Sequence, residues 1–94
     1  LYFESAGRKV IVHTVEKQYE YYDKLDQVEE KLKDGHFLRI HKAYLVNIEN
    51  IEAFQYERVA LIDGTLLNIS EKNRARVRNE FWEYYKYADK MGNH

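Results

Sequence analysis

Phe37-Leu38-Arg39-Ile40-His41-Lys42-Ala43-Tyr44-Leu45-Val46-Asn47 is the stretch on which the reading of this chain turns. Its first half alternates apolar and polar, with Phe37, Leu38 and Ile40 set against Arg39 and His41, and reads as a strand over 37–41. Residues 42–47 read as a tight turn, helical or not, because the alternation stops at Lys42. Two cations, Arg39 and Lys42, sit at the end of that strand with no acid between His36 and Asn47.

Working outward toward the N-terminus, the period changes to that of a helix. Leu25, Val28 and Leu32 fall at i, i+3 and i+7, while Asp26, Glu29, Glu30, Lys31 and Lys33 fill the other face. Asp23 is the expected N-cap and Gly35 the expected residue after the helix end. Before it, residues 1–5, 8–15 and 18–22 are rich in Val, Ile and Tyr and are broken at Ala6-Gly7 and Glu16-Lys17, giving three strands. The opening Leu-Tyr-Phe-Glu-Ser resembles a protease-cleavage tag, but Glu4 stands where such a tag has glutamine, so the segment is read as a strand.

Toward the C-terminus, residues 51–56 read as a strand, and 58–62 and 65–69 as a hairpin about Asp63-Gly64. That dipeptide suits a type I′ turn, in which both central residues take positive φ. Ser70 is the expected cap of a final helix, whose Val77, Phe81, Tyr84, Tyr85 and Ala88 recur at helical spacing and should dock on the sheets. Residues 91–94 should fray. The expectation is a single domain over residues 1–94, mainly β with two or three helices and a C-terminal amphipathic helix. Neither a repeat nor an internal linker is visible.

Composition narrows the function. Ninety-four residues leave little room for a cavity lined with catalytic groups, and without cysteine there is no disulfide and no thiolate metal site. The expected compartment is therefore the cytoplasm. His13, His36, His41 and His94 show no helical i, i+4 pair, so neither a metal nor any other cofactor is expected. Glu29 and Glu30 are adjacent and point about 100° apart on a helix, which prevents them from acting as a facing acid and base. No nucleophile elbow and no glycine-rich phosphate loop is present, and no apolar run approaches the ~20 residues of a membrane span. An enzyme is not expected.

The net charge of −1 hides an uneven distribution. Residues 8–13, 36–47 and 71–78 hold eight cations (Arg8, Lys9, Arg39, Lys42, Lys72, Arg74, Arg76 and Arg78) and a single acid, Glu71, which leaves seven cations against fifteen acids elsewhere. One-sided basic surface on a near-neutral domain is the electrostatic footprint of a polyanion binder. About four to six phosphate contacts would follow, with a log–log salt slope near −4 to −5. Arg8 and Lys9 follow a turn, Lys42 follows a strand end and Lys72 opens a helix, so all lie on connections, where binding residues concentrate. Nine tyrosines could stack on single-stranded bases, but Tyr19, Tyr21, Tyr22, Tyr84, Tyr85 and Tyr87 are read first as packing residues.

The segment 37–47 resembles the signature of the LytTR DNA-binding domain. It is flanked in the family's order by Leu1-Tyr2-Phe3-Glu4-Ser5 and Val10-Ile11-Val12-His13 before it, and by residues 48–51, Asp63-Gly64-Thr65 and Ile69-Ser70 after it. The similarity spans about residues 1–87. It implies a LytTR-like arrangement of small antiparallel sheets in a transcriptional output domain, whose strand-connecting loops enter successive major grooves of duplex DNA. Carried over by position, the base-reading loops are the Arg8-Lys9 turn, the Lys42 turn and the Lys72 position, and the candidate DNA-binding set is Arg8, Lys9, Arg39, His41, Lys42, Lys72, Asn73 and Arg76. The resemblance further implies binding of imperfect direct repeats as a dimer, behind a receiver domain. The leading β segment usual in the family and any receiver domain lie outside this chain. A LytTR-like module that binds another regulator instead of DNA is the competing reading.

Overall fold

The computed structural model describes the backbone of residues 1–92 and the side chains of residues 1–86. Strands β1 (Tyr2–Ala6) and β2 (Lys9–His13) pair antiparallel with Ala6 opposite Lys9, so Gly7 and Arg8 alone form the loop. Gly7 takes φ +64° and Arg8 stays negative. Glycine at the first central position is the mark of a type II′ turn, whose twist matches the strands it joins. β3 (Gln18–Tyr22) extends the sheet beyond β2. On the other side β5 (Tyr44–Asn47) pairs with β1, and β4 (Phe37–His41) with β5, giving the order β3-β2-β1-β5-β4.

β5 corrects the reading of 42–47 as a turn. Only Lys42 and Ala43 turn, and residues 44–47 form a strand between β1 and β4. Leu45 packs on one face with Val10, Leu25 and Val28, and Val46 on the other with Leu38 and Ile40. A strand covered on both faces has no polar side, so its sequence shows none of the alternation that marked β4.

Helix α1 (Leu25–Lys31) covers one face of this sheet through Leu25 and Val28. Its cap position is Lys24 rather than Asp23, whose Oδ1 accepts from the Lys24 N–H at 2.7 Å. Gly35 is not in the left-handed region expected of a helix-ending glycine, and the helix is closed at Leu32. The other face carries the larger core. A 3-10 turn (Ile48–Asn50), capped by Asn47 Oδ1 on the Glu49 N–H, leads into a second sheet of β6 (Ile51–Phe54), β7 (Arg58–Leu61) and β8 (Leu66–Asn68) in that order.

The β7–β8 hairpin stands where Asp63-Gly64 indicated, but not with a type I′ turn. Gly64 alone is positive, at φ +91°, and Leu61 exchanges hydrogen bonds with Gly64 and Thr65, which leaves three loop residues. Asp63 Oδ1 accepts from the Thr65 N–H at 3.0 Å, stabilising this longer loop by side chain. Helix α2 (Arg74–Gly92) then lays Val77 and Phe81 into the core with Val59, Leu61 and Ile69. Tyr84 is partly buried and Tyr85 exposed; the Ala88 side chain and residues 93–94 of the expected frayed end lie outside the described residues, while Met91 and Gly92 are helical.

The fold is thus mainly β with two helices, as expected. The tyrosines of β3 are a correction: Tyr19, Tyr21 and Tyr22 are 49%, 41% and 77% exposed rather than packed. α1 packs against β1 and β5 and leaves the edge strand β3 uncovered. Among the described residues no helix is long and apolar enough to cross a membrane.

Candidate nucleic-acid interface

Because β1 and β5 run antiparallel, the end of β1 lies beside the start of β5, and the Gly7-Arg8 and Lys42-Ala43 loops share one end of the sheet. The Ser5 N–H donates to the Ala43 carbonyl at 2.8 Å, tying the two together. A third connection, the 3-10 turn Glu71–Asn73, is brought to the same end by β4. That strand carries a bulge between Arg39 and His41, and the Ile40 carbonyl accepts from the Ser70 N–H at 2.9 Å. Bulges re-aim backbone groups in this way. Ser70 Oγ also donates to Ile40 O, at 3.4 Å, and accepts from Asn73 Nδ2; it does not cap the helix with its side chain, as the sequence suggested.

The eight candidate residues divide into two groups. Arg39 is the most heavily engaged: Nε donates to the His41 carbonyl at 2.9 Å, Nη2 to the Lys42 carbonyl at 2.6 Å, and Nη1 to Asp26 Oδ1 at 2.8 Å and Glu29 Oε1 at 2.9 Å. Arg76 donates to the Arg39 carbonyl and pairs with Glu80. Lys9 pairs with Glu20 at 3.3 Å and lies over the Tyr22 ring. His41 accepts the Ala43 N–H on Nδ1 at 3.1 Å, and Asn73 is held by Ser70.

Arg8, Lys42 and Lys72 form the second group. Each is exposed, and among the described residues none takes part in a side-chain hydrogen bond, an ion pair or a ring contact. They fall one to each tip. Arg74 and Arg78, the other cations of the basic segments, are engaged with the Ile69 carbonyl and the Tyr56 ring. The part played by Asp26 and Glu29 escaped sequence reasoning, which took them for a solvated face. Their i, i+3 spacing on the helix that precedes a strand arginine was the available signal.

Across residues 1–82 the sequence matches the family described as LytTr DNA-binding domain. The chain belongs to the LytTR family. This is a family of DNA-binding domains, not of enzymes, and the matched region of this LytTR domain contains all three tips. Among solved structures, the LytTr DNA-binding domain ascribed to a methyl-accepting/DNA response regulator from Bacillus cereus superposes with a TM-score of 0.73 at 24% identity, covering 84% of this chain and 77% of that one. At that identity the likeness establishes the LytTR fold. No curated protein matches the sequence significantly.

Proposed function

We propose that this LytTR domain binds duplex DNA sequence-specifically, with the Arg8, Lys42 and Lys72 loops entering the major groove, as the output domain of a transcriptional response regulator. The observation that carries the reading is the set of uncommitted cations, one on each of three loops at one end of the sheet. Arginine and lysine can reach guanine O6 and N7 from the groove. His41 keeps Nε2 for phosphate, while Lys9, Asn73 and Arg76 shape the loops around the three reading positions. In this reading residues 1–94 act as one unit behind a receiver domain of a bacterial two-component system, in the cytoplasm, and two copies occupy imperfect direct repeats.

Selection of bound sequences from random duplexes tests the reading. A recovered motif, retarded in a gel in preference to its scrambled version, is the expected result; no enrichment would sink it. A protein-interaction module would instead be retained by a partner and be indifferent to the duplex, and would have no use for an exposed cation on each of the three loops. A single-strand binder would prefer the unpaired oligonucleotide. The exposed tyrosines of β3 favour that outcome weakly, because strand alternation puts Tyr19 and Tyr21 on one face and Tyr22 on the other, which breaks up a stacking platform.

A further inference from the structure

Arg39 is one of the candidate DNA-binding residues, yet its side chain is 15% exposed and four of its five N–H groups are already directed at protein oxygens. We infer that Arg39 is a positioning residue: it sets the sequence preference of the domain by holding the Lys42 loop in place against α1 and against the Lys72 turn, and does not itself touch DNA. The inference rests on the reading that Lys42 and Lys72 meet base edges.

The geometry is that of a junction. One edge of the guanidinium takes the carbonyls of His41, the last residue of β4, and of Lys42, the first residue of the β4–β5 loop. Nη1 takes the two carboxylates presented by α1 at i, i+3. The backbone of the same residue faces the third tip: the Arg39 carbonyl accepts from Arg76 Nη2 at 2.6 Å, and the next carbonyl, Ile40, accepts from Ser70. Side chain and backbone of one bulged strand thus connect the second tip to the third. Asp26 and Glu29 are 82% and 46% exposed, so water screens these ion pairs and their contribution to stability is small. Their contribution is orientational, since a planar fork held at both edges cannot rotate. A side chain that reads a base must be held to within roughly 0.5 Å, which a loop of two residues on a long lysine does not achieve unaided.

The test compares Arg39→Lys with the native chain. Lysine keeps the charge but cannot bridge carbonyls and carboxylates at the same time. Three readouts are expected: lower backbone order parameters at Lys42 and Ala43 by nitrogen-15 relaxation without DNA; a roughly tenfold smaller affinity ratio between the selected and scrambled duplexes; and an unchanged salt slope, because no phosphate contact is lost. In a Lys42→Ala background the same substitution should leave the ratio where Lys42→Ala has put it, since Arg39 acts through that loop. Should Arg39→Lys unfold the chain, Asp26→Asn with Glu29→Gln carries the test without altering the carbonyl bonds or the core, and a lower ratio with lower order at Lys42 is again expected. In Arg39→Gln, which removes the charge, a slope shallower by about 1 with all duplexes weakened alike would mean that Arg39 holds phosphate and would overturn the inference. Unchanged order at Lys42 or an unchanged ratio overturns it too. A native chain that does not distinguish the two duplexes removes the base-reading premise instead, which separates the failure of that reading from the failure of the brace.

Discussion

Lys42 and Lys72 are long cations on connections that the fold can form without them, as neither belongs to an apolar period and neither side chain is bonded within the described residues. Replacing either by alanine should leave circular dichroism unchanged. If the side chain reads a base edge, the loss is about 1 to 3 kcal/mol and preference relaxes at one position of the site; if it meets only phosphate, all sequences weaken together. Lys31 supplies the control, being 73% exposed with Nζ 3.9 Å from Asp23 Oδ2, and Lys31→Ala should be nearly silent. Fluorescence anisotropy on the selected and scrambled duplexes measures all three, and equal small effects would refute reading by the loops. At this scale the positions of the cations were legible because turns and strand ends leave marks in sequence. Their availability was not. Arg39 and Lys42 are three residues apart and chemically alike, and only the fold shows that one is bonded to Asp26, Glu29 and two carbonyls while the other has no side-chain partner among the described residues.

Helix α2 shows what periodicity can and cannot report about an element. Val77 and Phe81 were expected on the buried face and are there, with Phe81 stacked on Phe54 at 4.2 Å, whereas the adjacent Trp82 is 54% exposed. Phe81→Ala should therefore cost about 3 to 4 kcal/mol by urea unfolding, against less than about 1 for Trp82→Ala, and comparable losses would mean that the helix docks in another register. β5 was illegible for the opposite reason: burial on both faces by two cores erased the period on which strand assignment depends. The β7–β8 loop was found through Asp63-Gly64 but mistyped, since Ile62 joins the loop and the dipeptide cannot announce its length. Its Asp63 carboxyl is held below the ordinary value of 3.8, chiefly by the Thr65 backbone N–H and then by the Thr65 hydroxyl. A carboxylate whose pKa is depressed by folding stabilises the native state above its ordinary value and ceases to do so as pH falls through the folded value. The Thr65 amide resonance should accordingly titrate below pH 3.8, and Asp63→Asn should abolish that titration; a midpoint above 3.8 would contradict the assigned bond.

For the molecule as a whole, the clustered charge must be counted after the fold has used what it needs. Of the eight cations in the basic segments, Lys9, Arg39 and Arg76 are paired with Glu20, with Asp26 and Glu29, and with Glu80. Among the described residues Arg8, Lys42 and Lys72 are uncommitted, and Arg74 and Arg78 are held by a carbonyl and a ring. About three to four phosphate contacts are then available, fewer than the bare sequence count implies, and the log–log slope of affinity against salt should be near −3. A single module of this size should bind one half-site only at micromolar concentration or above, because the second copy that would supply avidity is absent. Titration of a labelled half-site duplex between about 50 and 200 mM salt measures both quantities. A slope of −4 to −5 would mean that the paired arginines leave their carboxylates for phosphate, so that the internal bonds yield on binding. A slope flatter than about −2 would leave too few contacts for a three-loop footprint, and the placement of duplex DNA on this end of the sheet would have to be abandoned.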